Sequence, residues 1–437
     1  MKETLAQLIL DFHQSQLPEP SLREIALAQF PSAVRKAYVF VGMRRSGKTW
    51  AMYQHMRSLI DRGIDKRKIV YINFEDDRLL SFRSHNFQSV LDAYFELYPQ
   101  FAESRDVHFF FDEIHQVEGW EKFIRRLLDQ EKMSIYISGS SAKMLSKEIA
   151  SNLRGRTIVR EIFPFSFREY LHFKQVAFKE RLTTKQQAAI AHHCKDFLVF
   201  GGFPEAVSLE RQFHRNLLQG YVDAVIYRDI VERYNIHNSP VVRELIKYCL
   251  QNSASLLSMN KIYHRFKSQG QMVGKNSLYA FMEYLEDAYC LFSVSLYSFS
   301  FLKQTVNPKK IYCIDQGLIS AYTIKPEYEQ ASRLENTVFC QLRRRTDQIF
   351  YYKTKTGKEV DFLSFMPNGT KELFQVSVSL KDEKTYARET AGLREAMKEL
   401  AVKKSTIVTM NDFETKKFKE GVIEQIPAAK WLLQPIM

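Results

Sequence analysis

The sequence predicts an α/β protein in which a parallel sheet, flanked by helices, forms the first large domain and further domains follow it. Three observations support this expectation. Short apolar runs alternate with helical stretches between residues 37 and 163, as strands do when crossover helices join them. A glycine-containing loop follows the first apolar run, and a later apolar run ends in two acidic residues. Both features are typical of the carboxyl edge of an open parallel sheet, where ligands bind.

The order of elements follows from chain breaks and apolar runs. Pro18, Pro20 and Pro31 interrupt the helical pattern at the start of the chain, so residues 1–36 are expected to be an N-terminal helical segment. Five strands are expected after it, over residues 38–41, 69–74, 107–111, 134–138 and 157–163.

The loop after the first strand has the spacing of a phosphate-binding loop. Its backbone N–H groups can surround a polyphosphate, Lys48 can reach the terminal phosphates, and the hydroxyl of Thr49 can hold Mg²⁺. An ordinary glycine turn is the alternative, and the strand and helix on either side count against it. We therefore expect a nucleoside triphosphate to bind at Gly42, Arg44, Arg45, Ser46, Gly47, Lys48 and Thr49.

The apolar run at residues 107–111 ends in Asp112 and Glu113. At the carboxyl edge of the sheet, Asp112 would orient Mg²⁺ and Glu113 would polarise the attacking water. An Asp-Glu pair that caps the next helix is the alternative, and it would be the better interpretation if the motif stood alone.

Further motifs follow in order along almost the whole chain: Phe111-Asp112-Glu113-Ile114, Gly119-Trp120-Glu121, Ser138-Gly139-Ser140-Ser141, Leu153-Arg154-Gly155-Arg156, Phe163-Pro164-Phe165-Ser166-Phe167-Arg168-Glu169-Tyr170, Gly201-Gly202-Phe203-Pro204-Glu205, Tyr284-Leu285-Glu286-Asp287-Ala288-Tyr289, Lys310-Ile311-Tyr312-Cys313-Ile314-Asp315-Gln316-Gly317-Leu318 and Gly357-Lys358-Glu359-Val360-Asp361-Phe362. With the phosphate loop, this set resembles the AAA-type P-loop ATPases of bacteria and archaea that carry a restriction-endonuclease-like C-terminal domain of unknown function. The resemblance implies ATP and Mg²⁺ as cofactors and a layout of several domains.

On this basis we expect five segments. They are an N-terminal helical segment (1–36), an AAA-type ATPase core (37–172), a helical linker or lid (173–235), a winged-helix-like domain (236–315) and a restriction-endonuclease-like C-terminal α/β domain (316–437).

Two further positions are predicted for the ATPase site. In ring-type ATPases a polar residue after the fourth strand senses the γ-phosphate, and Ser140 is our choice for that role. Arg156, with Arg154 as the second choice, would complete the site in its own subunit or a neighbouring one. A solvated basic turn is an equal alternative for the two arginines.

The middle of the chain predicts a helix-turn-helix. Helices are expected over residues 241–251, 256–267 and 277–289, with two wing strands after them. Lys275, Asn276 and Ser277, at the start of the third helix, could contact nucleic acid. Three acids in the later turns of this helix would repel a phosphate backbone, so a purely structural winged helix is an equal alternative to nucleic-acid binding.

The C-terminal region has an altered nuclease pattern. Restriction-type nucleases use an Asp and then Glu-x-Lys on the next strand to hold a metal and assist water. Glu335 and Asp361 occur in the expected order, but Gln375 and Ser377 replace the second acid and the lysine. We therefore expect a degenerate site that does not cleave DNA. A plain α/β domain without nuclease ancestry is the alternative.

The composition indicates in which cellular environment the protein works and which class of partner it binds. The 437 residues are 45% hydrophobic and 13% aromatic, as in a folded protein of several domains. No apolar run is long enough for a membrane span, the N-terminus lacks the layout of a signal peptide, and five cysteines occur without a Cys-x-x-Cys pair. We therefore expect a cytoplasmic protein with reduced thiols. The formal charge of +13 favours a polyanionic partner.

The sequence thus predicts an ATP-binding, Mg²⁺-dependent AAA-type ATPase that couples its nucleotide state to a partner through its C-terminal domains. The partner is a nucleic acid, bound weakly and in a salt-sensitive way, or a protein, and no membrane partner is expected. The sequence is compatible with a homo-oligomer but leaves the oligomeric state open. Two alternatives stay open. One is an ATP-gated, metal-dependent nuclease, and the other is a nucleotide-dependent signalling or assembly switch that does not bind DNA.

Overall fold

The computed structural model of the chain describes residues 1–25, 27, 36–104, 106–130, 133–140, 153, 155–178, 182–323 and 329–436. The chain divides into two compact units, Met1–Ile162 and Phe163–Met437.

The first unit alternates strands and helices as the apolar pattern predicts. Its described elements are α1 (Lys2–Gln14), β1 (Ala37–Val41), α2 (Lys48–Asp61), β2 (Ile69–Asn73), α3 (Phe87–Leu97), β3 (His108–Asp112), α4 (Trp120–Gln130), β4 (Ser134–Gly139) and β5 (Thr157–Glu161).

These five strands form one parallel sheet in the order β2-β3-β4-β1-β5. Every residue of β3 is buried, which explains why its sequence is apolar without alternation. The predicted α/β class with a parallel core is therefore confirmed. Since all the strands point the same way, the loops after β1, β2, β3 and β4 lie at one edge.

Aromatic and aliphatic side chains fill the space between the sheet and α2. The rings of Phe110 and Tyr136 stack with centroids 4.3 Å apart, and Met52 and Met56 of α2 pack in the same buried cluster. This packing holds α2 against the sheet, so the first turn of α2 has a fixed position at the carboxyl edge.

The second unit begins with helices and continues through a small sheet. Its elements up to residue 313 are α5 (Phe167–Phe173), α6 (Thr184–Phe200), α7 (Pro204–Ser208), α8 (Arg211–Ala224), a π-helix (Val225–Glu232), α9 (Ser239–Gln251), β6 (Ser255–Leu257), α10 (Met259–Ser268), α11 (Lys275–Asp287), β7 (Leu291–Val294), α12 (Phe301–Val306) and β8 (Lys309–Cys313). The three strands form an antiparallel sheet in the order β6-β8-β7.

The predicted helix over residues 256–267 is wrong at its start. Ser258 accepts a hydrogen bond from the N–H of Lys261 and caps α10, so the helix begins at Met259. The residues before this cap pair with β8 as strand β6. The sequence contains the cap, but the strand depends on a partner about fifty residues away, which no local pattern reveals.

The C-terminal part contains a mixed sheet. Its elements are α13 (Gln316–Tyr322), α14 (Gln330–Arg343), β9 (Ile349–Lys353), β10 (Glu359–Phe365), β11 (Lys371–Val376), α15 (Glu383–Leu400), β12 (Lys404–Thr409), β13 (Glu414–Lys417), β14 (Val422–Pro427) and α16 (Ala428–Trp431). The strand order is β13-β14-β12-β11-β10-β9. The pairs among β11, β12 and β14 are parallel, and the other pairs are antiparallel.

Within the described residues, no helix combines the length and the hydropathy that a membrane crossing requires.

Candidate functional site

The phosphate loop connects β1 to α2 through backbone conformations that favour glycine. Gly47 has φ 101° at the N-cap of α2, and Gly42 has φ 153°. A Cβ atom on Gly42 would lie 2.3 Å from the carbonyl oxygen of Ile162, so no larger residue fits. The first N–H groups of a helix have no partner within the helix, so those at the start of α2 can bind an anion at the loop.

The Lys48 ammonium lies inside this loop. Its Nζ donates to the carbonyl oxygens of Gly42 (3.2 Å) and Met43 (3.4 Å) and lies 3.3 Å from Oε1 of Glu113. The Lys48 side chain is only 4% exposed. The positive charge is therefore held where the terminal phosphates of a nucleotide would lie.

The other loop residues differ in their surroundings. Ser46 is fully buried, and Arg44 forms an ion pair of 2.8 Å with Glu75 in the segment after β2. Arg45 is exposed and has φ 67°, which is unusual for a residue with a side chain. A residue outside the predicted loop also contributes, because buried Arg23 donates to the carbonyl oxygen of Ser46 (3.1 Å).

Asp112 lies at the centre of three hydroxyl groups from three elements. Its Oδ2 accepts from Thr49 (2.7 Å) and from Tyr71 (2.9 Å), and its Oδ1 accepts from Ser138. Burial, followed by the charge of Glu113, raises the pKa of Asp112, although the three hydrogen bonds act the other way. Hard oxygen ligands around a buried carboxylate suit Mg²⁺, so Thr49 and Asp112 fit the ion that the phosphate loop implies.

Glu113 has a strained backbone beside the loop. Its φ and ψ are 51° and 37°, a left-handed conformation that costs a residue with a side chain about 1 kcal/mol or more. Its N–H donates to Oγ of Ser138 (2.9 Å), and its Oε2 lies 3.3 Å from Nδ1 of His115. Burial would raise the pKa of Glu113, but the nearby charges of Lys48, His115 and Arg44 outweigh it and lower this pKa. The carboxylate is thus held ionised, as a group that accepts a proton from water must be.

Ser138, within β4, and Ser140, directly after β4, have different surroundings. Oγ of Ser140 lies 3.5 Å from Nε2 of His115, whereas Ser138 contacts both Asp112 and Glu113. Ser138 and Tyr71 are site residues that sequence reasoning missed. The only signal in the sequence was their position near the carboxyl ends of strands that flank β3.

Arg156 lies at the opposite edge of the sheet from the phosphate loop. It directly precedes β5, and Thr157 is in register with Ala37, the first residue of β1. Five residues of β1 therefore separate it from the loop, a distance of about 16 Å. Its guanidinium pairs with Asp129 at the end of α4. Arg156 cannot reach a nucleotide in its own chain, so the prediction is restricted to a nucleotide bound by a neighbouring subunit. Arg154 lies outside the described residues.

The predicted nuclease residues are brought together only in part. Glu335 of α14 and Asp361 of β10 both contact the ammonium of Lys310. Oε1 of Gln375 accepts from the N–H of Asp361 (3.2 Å). Ser377 is separate, since its hydroxyl donates to the carbonyl oxygen of Ser379.

A lysine does lie beside the carboxylates, but it comes from β8 and not from the position of Ser377. Sequence reasoning missed this lysine, Lys310, because no local spacing connects it to Glu335 or Asp361. Among the residues that the structure describes, no group of three or more His, Cys, Asp or Glu side chains is arranged to hold a metal.

The predicted nucleic-acid contacts lie at the exposed start of α11. Lys275, Asn276 and Ser277 are all exposed, and Nζ of Lys275 lies 5.2 Å from the centre of the Tyr263 ring. One of the three acids that argued against this surface is turned inward: Glu286 accepts from Ser293, and burial raises its pKa. Glu286 is therefore less exposed on the surface of α11 than Glu283 is.

Comparison with known proteins agrees with this architecture. Residues 34–171 match the family described as AAA domain, residues 191–328 match Domain of unknown function (DUF8612), and residues 332–431 match Domain of unknown function (DUF4143). An uncharacterized protein of Methanocaldococcus jannaschii is 35% identical over 422 residues, which cover 94% of this chain and 90% of that protein. An uncharacterized protein of Haemophilus influenzae is 29% identical over 401 residues, which cover 91% and 94%.

Among solved structures, the chain is similar to the Aeropyrum pernix ORC1 protein in complex with DNA. The identity is 13%, the match covers 75% of this chain and 92% of that chain, and the TM-score is 0.30.

A phosphate loop and an acidic strand end, placed together at the carboxyl edge of a parallel sheet, define a P-loop ATPase of the AAA type. The chain belongs to the same family as its archaeal relative, and it carries an AAA domain followed by two domains of unknown function. The AAA domain implies ATP binding at the level of the domain family.

Proposed function

We propose that this protein is an Mg²⁺-dependent ATPase whose nucleotide state controls how its second unit binds a partner. The observation that carries the proposal is the contact of 2.7 Å between Thr49 and Asp112, beside the Lys48–Glu113 ion pair. These four side chains are the ones that phosphate binding, metal binding and water activation require, and they lie within one cluster.

Each residue has a separate role in this mechanism. ATP, bound together with Mg²⁺, would supply the phosphoanhydride bond that is hydrolysed. Lys48 would exchange its contacts with loop carbonyl oxygens and Glu113 for contacts with the terminal phosphates. Glu113 would then be free to accept a proton from the attacking water. Asp112 and Thr49 would hold the metal, and Ser138 and Tyr71 would orient Asp112.

For the partner, we favour a nucleic acid bound through the phosphate backbone. The excess of Lys and Arg over Asp and Glu is larger in Phe163–Met437 than in Met1–Ile162. The α10 and α11 helices present exposed Lys261, His264, Lys267 and Lys275. A basic helical surface of this kind binds phosphates without reading bases.

The ATPase proposal is tested by separating binding from hydrolysis. Lys48→Ala removes the charge that meets the phosphates, so ATP affinity should fall about tenfold or more. Glu113→Gln keeps the shape but cannot accept a proton, so ATP should still bind while turnover falls about a hundredfold. Binding is measured with a fluorescent ATP analogue and turnover by phosphate release.

The matched controls are Lys122→Ala and Glu118→Gln, which change exposed residues of the same unit. Both should behave as the parent does. A Glu113→Gln variant that hydrolyses ATP at the parental rate would overturn the role of Glu113, and undetectable Mg²⁺-dependent hydrolysis by the parent would overturn the ATPase proposal.

A further inference from the structure

A buried lysine in the second unit is surrounded by three carboxylates. Nζ of Lys310 lies 2.8 Å from Glu359, 2.9 Å from Asp361 and 3.1 Å from Glu335. The Lys310 side chain is only 5% exposed. The lysine comes from β8 of the three-stranded sheet, while the acids come from α14 and β10 of the C-terminal part. This cluster therefore joins two regions that the sequence predicts to be separate domains.

The three carboxylates provide an acceptor for every N–H group of the Lys310 ammonium. An ammonium has three N–H donors, and Lys310 has one carboxylate oxygen within 3.1 Å for each of them. The acids are held from outside as well. The hydroxyl of Tyr312 donates to Glu335 (2.7 Å), and the N–H of Val376 donates to Asp361 (3.0 Å). The oxygens therefore point toward a single position, which the ammonium occupies.

The charges favour a cation at this position. Burial alone would lower the pKa of Lys310, but the charges of Asp361, Glu335 and Glu359 outweigh it and raise this pKa. Burial and the charge of Asp361 raise the pKa of Glu335. Three acids around one ammonium would repel each other if the ammonium were removed, because a buried charge without a counter-ion is strongly destabilising.

We propose that the ammonium of Lys310 is the resident cation of the Glu335–Glu359–Asp361 cluster. While Lys310 is in place, the cluster takes no Mg²⁺ or Mn²⁺, and it becomes a divalent-metal site when the ammonium is removed. This inference goes beyond the ATPase function and does not depend on it. It also gives a different reason to expect no cleavage of DNA: the cation position is filled, in addition to the changes at Gln375 and Ser377.

The test measures Mn²⁺ binding to the full-length chain without nucleotide. Every variant also carries Asp112→Asn, so that the ATPase site adds no metal to the count. Free Mn²⁺ is measured by electron paramagnetic resonance, and thermal unfolding is followed in the same samples. Lys310→Met should bind about one Mn²⁺ per chain, about tenfold or more tighter than its parent, and Mn²⁺ should raise its unfolding temperature.

Two variants are matched to Lys310→Met. Lys309→Met changes the exposed neighbouring lysine and should bind no more Mn²⁺ than the parent. Lys310→Met combined with Asp361→Asn removes one ligand, so it should bind Mn²⁺ no better than the parent does. A folded Lys310→Met variant without added Mn²⁺ affinity would overturn the proposal.

A second arm keeps Lys310 and so does not depend on how well the substituted chain folds. The parent and its Asp361→Asn variant should bind the same amount of Mn²⁺. In chains that keep Asp112, and so keep the ATPase site intact, neither should cut DNA with Mg²⁺ or Mn²⁺, with or without ATP. Metal binding or DNA cleavage that is present in the parent and absent from the Asp361 variant would overturn the proposal. It would favour an ATP-gated nuclease in which Lys310 assists the reaction.

Discussion

At the scale of single residues, the most informative group is the Asp112 carboxylate. Three hydroxyl donors, from the phosphate loop, β2 and β4, share its two oxygens. Hydrogen bonds to the charged form of an acid lower its pKa, whereas burial raises it. Because burial is the larger effect here, the pKa of Asp112 lies above its ordinary value, and each of the three donors limits how far it rises.

This balance predicts the behaviour of Tyr71→Phe. Removing one donor should raise the pKa of Asp112 further, so the acidic limb of the ATPase pH profile should move to higher pH. The Mg²⁺ concentration for half-maximal rate should rise several-fold, because a partly protonated Asp112 is a weaker ligand. ATPase rates measured against pH and Mg²⁺ check both expectations.

The control for this prediction is Tyr38→Phe, because Tyr38 lies on β1 and stacks on Tyr136 away from Asp112. An unchanged pH limb in Tyr71→Phe would show that the hydroxyl of Tyr71 is not a positioning group for Asp112.

At the scale of elements, the second unit contains a junction that depends on one buried acid. Asp315, at the N-cap of α13, accepts from the N–H groups of Gly202 (2.7 Å) and Gly317 (2.8 Å). Burial raises the pKa of Asp315 to about 6. The Asp315 carboxylate therefore ties the turn after α6 to the start of α13. The two sequence motifs that contain these residues, far apart along the chain, meet at this point.

Glycine substitutions test this junction. Gly201 has φ 79°, and a Cβ atom there would lie 1.9 Å from Oδ1 of Asp315. Gly201→Ala should lower the free energy of unfolding by about 2 kcal/mol or more, because the backbone strain and the displacement of Asp315 add. Thermal and urea unfolding measure the change.

Gly220 provides the matched substitution. It lies within α8, where an added Cβ has no atom within 4 Å. Gly220→Ala should leave stability unchanged or raise it by about 0.5–1 kcal/mol, since alanine favours helix. Equal effects of the two alanines would show that the close approach of Gly201 to Asp315 has no effect on stability.

At the scale of the whole molecule, the formal charge of +13 and the exposed basic residues of α10 and α11 favour binding to phosphates. We expect weak duplex DNA binding with little base preference, and log affinity should fall linearly with log salt. Replacing Lys261, Lys267 and Lys275 by Ala should reduce that slope by about one for each lysine that binds a phosphate. Fluorescence anisotropy across a salt series measures it.

The control replaces Lys398 and Lys403, exposed lysines of the C-terminal part, and should leave the slope unchanged. Undetectable binding at low salt would instead favour a protein partner and a switch that does not bind DNA.

The local sequence by itself determined the ATPase part of this protein. Lys48, Thr49, Asp112 and Glu113 were predicted from two short motifs, because a strand, a loop and a helix that follow one another fix where those side chains lie. The parallel sheet was predicted for a similar reason, since its strands alternate with helices along the chain and the strand that ends in Asp112 is buried along its whole length.

The tertiary structure alone decided the rest. Tyr71, Ser138 and Lys310 acquire their roles from neighbours on other strands, and Arg156 has no role in its own chain's site because β5 begins at the opposite edge of the sheet. Contacts between strands depend on sheet order and register, which no local pattern of residues specifies.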